Sequence, residues 1–434
     1  MELYRHLKER ESKGEIIRTG LVGCGQMGSG MIHLTERMPG LDTMAIADVE
    51  TKRPMEVLTS LGIERDQIVL TNVKGEAEDA LINGKRVVTE DALLLPTLEN
   101  LDAVVEATGI TEIGAKVAWA AIYNQKNIVM LNVETDVTVG AILDRMARNS
   151  GSVYTVAAGD EPAVCKMLYD FSRTMGFEVI CLGKGKNNPV DLTATPESCN
   201  DEAESKGMNP KMLASFKDGT KTMVEMAAVS NATGLLPDTP GMHGPEAELS
   251  ELTRVFIPES DGGIFKGEGR VDYSTGAIAP GVFAIVTTDE PRIQSDMQFV
   301  SMGDGPYYLF FRPYHLCNLE TPFAVAEAVI YGETTVTAET MHSEVVSVAK
   351  RDLKTGETIG GIGSADIYHK IFTYKEARSM RAIPMGIAPN GKVLKDVRMG
   401  EPLTEDTLAP DSSTFIYKLR RMQDAILELD GGAV

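Results

Sequence analysis

Residues 183–189 read Gly-Lys-Gly-Lys-Asn-Asn-Pro. Two cations, Lys184 and Lys186, stand two apart between glycines, and two amides, Asn187 and Asn188, follow at once. Lysine binds phosphate as a point charge, and glycines let backbone N–H groups join it. A lysine beside another cation also gives up its proton more readily, which suits it to polarise a carbonyl or protonate an alkoxide. The pattern is read as a Gly-bounded turn after the strand FEVICLG. Lys184 and Lys186 are its catalytic groups, and Asn187 and Asn188 its substrate contacts.

Other chemically able residues sit in similarly constrained places. Gly159-Asp160-Glu161-Pro162 follows a strand and opens an amphipathic helix. Asp160 and Glu161 are either helix-cap carboxylates or catalytic ones, since anions and an early proline both suit a first helical turn. Lys221 and Glu225 are four apart on a predicted helix, so they share a face, either as an ion pair or as working acid–base groups. His243, Arg312 and His315 lie on Gly- and Pro-rich connections and are candidate substrate contacts, although a lone loop histidine is more often structural. No H-x-x-E-H, H-E-x-x-H or CxxC spacing appears, so no metal ligand is assigned. A divalent ion held by carboxylates stays open.

The elements that must position these groups begin with a nucleotide site. The apolar run 16–22 ends in Gly23-Cys24-Gly25-Gln26-Met27-Gly28, a full G-x-G-x-x-G, and a helical pattern follows. A second apolar run, 43–47, closes at Asp48, 20 residues after Gly28. Strand, glycine loop, helix and acidic strand end together predict a Rossmann half, with the helix N-terminus aimed at a pyrophosphate. LDAVVEATG ends in Thr108 and Gly109, small residues suited to the nicotinamide side, and KNIVMLNVETD supplies the next strand, with Asn132 as a further cofactor contact. Asp48 accepts a ribose 2′-OH and repels a 2′-phosphate, which favours NAD. Lys52 and Arg53 are placed to neutralise such a phosphate, so NADP stays open.

The chain has 434 residues and a formal net charge of −21, with 63 acidic against 42 basic side chains. That length calls for two or three domains. The charge argues against nucleic acid and anionic membrane surfaces as partners. No apolar run reaches the roughly 18 residues of a membrane span, and the charged start does not resemble a signal peptide, so a cytoplasmic location is expected. The five cysteines are scattered and are read as reduced thiols. The expected architecture is α/β. It comprises an N-terminal Rossmann domain (1–150), an α+β substrate domain (151–340) and a small β-rich domain with a terminal helix (341–434). A homo-oligomer is expected.

The strings Gly159-Asp160-Glu161-Pro162, GKGKNNP, DGTKTMVEMAA, the stretch from Asn231 through GMHGP, PGVF and RPYHL resemble the deoxyxylulose 5-phosphate reductoisomerase-like proteins over about residues 16–430. The N-terminal half is similar to homoserine dehydrogenases, and the tail resembles a SAF (β-clip) domain. The resemblance implies an NAD(P)H-dependent conversion of 1-deoxy-D-xylulose 5-phosphate to 2-C-methyl-D-erythritol 4-phosphate. Lys184, Lys186, Asn187 and Asn188 would hold phosphate or polyol oxygens, and Asp160, Glu161 or Glu225 would move protons or hold a metal. Asp48 stands where a relative that uses NADPH has a basic pair. The alternatives are an NAD-dependent dehydrogenase of another short polyol phosphate or hydroxy acid, and a non-enzymatic nucleotide-sensing module.

Overall fold

The computed structural model describes residues 2–429. They form two compact units. The first runs to Ala163 and takes in Leu316–Glu339; the second comprises Val164–His315 and the chain from Thr340 onward.

The first unit is built on a seven-stranded, all-parallel sheet. Its strands are β1 (Ile17–Val22), β2 (Leu41–Ala47), β3 (Ile68–Leu70), β4 (Arg86–Thr89), β5 (Ala103–Glu106), β6 (Asn127–Met130) and β7 (Tyr154–Val156). Their order is β3-β4-β2-β1-β5-β6-β7, so the chain reverses direction across the sheet between β1 and β5. The central strands are almost wholly buried, as near-continuous apolar strings must be when helices cover both faces. The helix Cys317–Tyr331 returns to this sheet. It lies so close to the helix Gln26–Thr35 that a Cβ on Gly30 would fall 2.0 Å from the Asn318 amide nitrogen.

The second unit contains a mixed sheet of β8 (Glu178–Gly185), β9 (Leu236–Pro237), β10 (Arg270–Ser274), β11 (Val282–Thr287) and β12 (Tyr307–Arg312), in the order β12-β11-β8-β10-β9. β13 (Ser343–Ala349) and β14 (Ile367–Thr373) form a separate antiparallel pair, and β15 (Lys392–Val393) and β16 (Leu408–Ala409) a shorter one. The helix Thr220–Thr233 packs against β10, β13 and β14 and is buried from Thr222 to Asn231. The terminal helix Phe415–Leu429 is anchored by the buried Arg420, which pairs with Glu344 and, at 2.8 Å, with Asp424.

The structure corrects one reading of the sequence: Gly183-Lys184-Gly185 is not a turn but the end of β8. The glycines are there because their neighbours leave no room. A Cβ on Gly183 would meet the Phe283 ring at 2.2 Å, and one on Gly185 would meet the Ala279 backbone nitrogen at 2.1 Å. Side chains alternate along a strand, so Lys184 and Lys186 point to the face opposite those glycines. All five cysteines are free thiols, four of them buried and Cys317 half-buried. Among the described residues no helix is long and apolar enough to cross a membrane.

Candidate functional site

In the first unit the loops after β1, β2, β5, β6 and β7 leave the carboxyl edge of the parallel sheet, where open α/β folds bind ligands beside the strand-order reversal. Gly23 has φ +99° and lies against the end of β5, with room for no side chain: an added Cβ would be 2.9 Å from Ala107 carbonyl atoms. Gly28 is tighter still, since its Cβ would fall 2.0 Å from the Gly23 carbonyl oxygen. Gly25 differs. It caps the helix Gln26–Thr35, and an added Cβ would meet nothing within 4 Å. The loop is thus locked at both ends and open in the middle, over a helix N-terminus whose first residues, Gln26 and Met27, are exposed. That cradle fits a pyrophosphate.

Asp48 follows β2 directly. One carboxylate oxygen accepts the Cys24 N–H at 2.8 Å and the other the Glu50 N–H at 2.8 Å, so the side chain staples the glycine loop. Burial, reinforced by Asp48, pushes the Cys24 thiol up to about 12. Arg53 is exposed and paired with Glu50 at 3.0 Å. On the other side of β1, Thr108 and Gly109 (φ +68°) form the rim after β5. Asn132 caps the helix Val133–Ser150 after β6, accepting the Thr135 N–H at 3.2 Å.

Glu106, the last residue of β5, went unnoticed in the sequence. It is fully buried, and burial pushes its carboxyl up to about 7. The signal was a lone carboxylate closing an otherwise apolar strand. Asp160 and Glu161 lie at the same edge and are buried. Asp160 accepts the Cys317 thiol at 3.1 Å, and Glu161 opens the helix Glu161–Thr174. Gly159, at φ +77°, is pressed against the first turns of the helix Cys317–Tyr331, its Cβ position 2.4 Å from that of Glu320.

The second unit gathers the lysines. Lys184 forms a buried ion pair with Glu225 from the helix Thr220–Thr233. Lys186, also buried, donates to the Phe216 carbonyl at 3.0 Å; burial lowers its pKa first, and Lys184 adds to the fall. Lys221 stands one turn before Glu225 on that helix and is half-buried. The residue opposite Glu225 is therefore a lysine 41 positions away, which no helical spacing announces. Register places Tyr273, Lys184, Val282 and Arg312 in one row across β10, β8, β11 and β12, hence on one face. Arg312 stacks on the Tyr314 ring at 4.6 Å, His315 Nδ1 lies 3.0 Å from the Pro280 carbonyl, and Asn187 and Asn188 follow β8 at the surface.

His243 is held elsewhere. Its Nε2 is 2.9 Å from Asp238, and its ring lies 5.9 Å from that of Phe265, in the aromatic cluster that includes Phe283 and so covers the glycine face of β8. Asp272, buried and pushed up to about 6 by that burial, accepts the backbone N–H groups of His243, Gly244 and Tyr273 and fixes this loop. Behind the lysines, Asp218 accepts the Thr220 N–H at 2.9 Å and pairs with Lys350 at 2.8 Å, tying the start of the Glu225 helix to the end of β13.

Residues 159–321 match the family model described as oxidoreductase DRL, catalytic domain, which supports an oxidoreductase. No curated protein matches the chain. Among solved structures, a probable dehydrogenase from Thermotoga maritima is similar with 14% identity and a TM-score of 0.43, over 74% of this chain and 91% of that one. A DOX-P reductoisomerase with fosmidomycin and magnesium aligns with 12% identity and a TM-score of 0.41, over 74% and 70%. A putative myo-inositol dehydrogenase from Sinorhizobium meliloti 1021 aligns with 12% identity and a TM-score of 0.39, over 73% and 90%. The segment matched by the family model contains Lys184, Lys186, Lys221, Glu225 and the loop of His243.

Proposed function

We propose that the protein is a nicotinamide-dependent oxidoreductase of a short phosphorylated sugar or polyol, with 1-deoxy-D-xylulose 5-phosphate as the substrate to test first. The observation that carries the reading is the buried Lys184–Glu225 pair with Lys186 beside it, inside the segment that matches an oxidoreductase catalytic domain. A lysine–carboxylate pair withdrawn from water, with a second lysine beside it, is a strong electrostatic tool, because charge acts further in a low dielectric.

When bound, a reduced nicotinamide supplies the hydride. The chain's own residues do the rest. The open cradle at Gly25 and the helix N-terminus hold the pyrophosphate, and Asp48 keeps that loop in shape while its charge faces an adenosine ribose. Lys186, whose burial favours the neutral amine, is suited to exchange a proton with a substrate oxygen. Lys184 keeps a positive charge against Glu225, and that charge stabilises an oxyanion or a phosphate oxygen. Asn187 and Asn188 offer amide hydrogen bonds to polyol hydroxyls.

The second reading, an NAD-dependent dehydrogenase of another polyol phosphate or hydroxy acid, is favoured by one observation, the carboxylate at Asp48. The experiment is a coupled assay that follows NADH and NADPH absorbance with 1-deoxy-D-xylulose 5-phosphate, with and without Mg²⁺ or Mn²⁺. Substrate-dependent consumption supports the reductoisomerase reading. Silence there, together with NAD-linked oxidation of a related polyol phosphate, selects the dehydrogenase. Silence with every substrate, despite cofactor binding, would leave only a nucleotide-sensing module.

A further inference from the structure

We propose that Glu106 is a positioning residue for the nicotinamide half of the dinucleotide, locking Thr108, and through Ile110 the Asn132 cap, into the rim on which that half rests. The inference builds on the dinucleotide reading above. Direction comes from topology. Asp48, at the end of β2, marks the adenosine side, and the glycine loop after β1 marks the pyrophosphate. A dinucleotide spans the point of strand-order reversal, so its other half lies over the ends of β5 and β6.

Glu106 sits at that place. In register it lies between Val22 of β1 and Met130 of β6, and it is fully buried. One carboxyl oxygen accepts the Thr108 N–H at 3.0 Å and is also bonded by the Thr108 hydroxyl. The Thr108 hydroxyl in turn accepts the Ile110 N–H at 3.2 Å, and the Asn132 amide donates to the Ile110 carbonyl at 3.2 Å. The carboxyl therefore fixes Thr108 directly, and the loop after β5 reaches the cap after β6 through Ile110.

For core packing alone an aliphatic residue would serve better, because a buried carboxyl is costly unless its bonds are needed. This one keeps a second oxygen, Oε2, buried without a hydrogen-bond partner. Burial and the nearby Glu134 both raise the proton affinity of the group, and the Thr108 bonds oppose them. What the carboxyl supplies here, and an aliphatic side chain could not, is the pair of bonds to Thr108.

The test is calorimetric titration of the full chain with NADH and, separately, with ADP-ribose, which lacks the nicotinamide. In Glu106→Leu the NADH affinity is expected to fall at least tenfold while ADP-ribose binding stays within twofold. Glu106→Gln, which keeps an acceptor for Thr108, is expected to recover most of the NADH affinity. Thr108→Val, at the half-exposed rim, carries the same split should the Leu variant not fold. Equal losses for the two ligands, or no loss for NADH, overturn the proposal. A wild-type chain that binds neither ligand overturns the dinucleotide reading itself, and the proposal with it.

Discussion

Two Gly-x-Gly stretches in this chain do opposite physical work. At Gly23–Gly28 the outer glycines are jammed against backbone and the middle one, Gly25, opens onto empty space. At Gly183 and Gly185 both glycines are filled from outside, by the Phe283 ring and the Ala279 backbone. The first pair leaves room for a ligand. The second leaves room for the protein's own core, and so turns two lysines to the opposite face of β8. A glycine pattern therefore marks close approach, and only the surrounding fold says what approaches.

The largest effects should separate these roles. Gly28→Ala places a methyl 2.0 Å from a backbone oxygen that cannot swing away, and Gly185→Ala places one 2.1 Å from a backbone nitrogen. Both variants are expected to lower the Tm by several degrees or fail to fold, since overpacking costs about 1–3 kcal/mol or more. Gly25→Ala should melt with the wild type yet lose at least tenfold in NADH affinity. If its binding survives, the open middle of the loop is not a phosphate cradle.

Next in size is the Lys184–Glu225 pair. Lys184→Met removes the ammonium paired with the buried Glu225, and breaking a buried pair from one side costs about 3–5 kcal/mol in comparable cases. Urea denaturation should show that loss. The double variant Lys184→Met/Glu225→Leu should regain most of it, because an apolar pair of similar volume removes the desolvation penalty on both sides. Turnover should stay absent in both variants. A double variant with normal turnover would reduce the pair to a structural tie.

The same contrast shows how far the sequence could be read. The glycine loop, the helix after it and Asp48 were legible because their meaning is local: strand, turn, helix and strand end follow within about thirty residues. The lysine stretch was misread as structure, a turn where the chain continues as β8. Its glycines answer to Phe283 and Ala279, about 100 residues on, and its carboxylate partner is Glu225 rather than a near neighbour. Lys221 and Glu225 do share a helix, as their spacing implied, but the buried partner of Glu225 comes from another element. Glu106 was hidden for a third reason: its neighbours in the strand, Val104 and Val105, made the segment read as plain core.

Smaller effects appear in the pH dependence, where Glu106 of the first unit and His369 of the second should act with opposite sign. Glu106 is raised from 4.5 to about 7 by burial, so the folded first unit binds a proton that the unfolded chain releases between those values. Its contribution is fully present below pH 4.5 and is lost as pH rises through 7. Asp136, raised by burial to about 7 and bonded by the Tyr154 hydroxyl at 3.0 Å, acts in the same direction. In the second unit His369 is lowered from 6.5 to about 3, first by burial and then by Lys350. Its contribution is present above pH 6.5 and is lost as pH falls through 3. Unfolding free energies measured from pH 4 to 8 should therefore lose part of their decline with rising pH in Glu106→Gln. In His369→Asn they should lose part of their decline towards acid. Unchanged slopes would mean that neither group is as dry as its surroundings imply.

The smallest expected effect concerns cofactor choice at Asp48. Its carboxylate accepts the Cys24 and Glu50 N–H groups, and the proposed function gives it a second task towards a ribose. Asp48→Ser gives up both, so NADH and NADPH should each bind more weakly, and the ratio of kcat/KM should move towards NADPH by only a few-fold. That limit follows because both Asp48 oxygens are already held by backbone N–H groups, which leaves little of its charge for a 2′-phosphate to feel. Arg53 does not become available with that change, because Glu50 holds it. The double variant Asp48→Ser/Glu50→Gln releases the guanidinium for a 2′-phosphate and should shift the ratio further than either single change. If the two substitutions merely add, Arg53 does not reach the ribose, and the preference belongs to Asp48 alone.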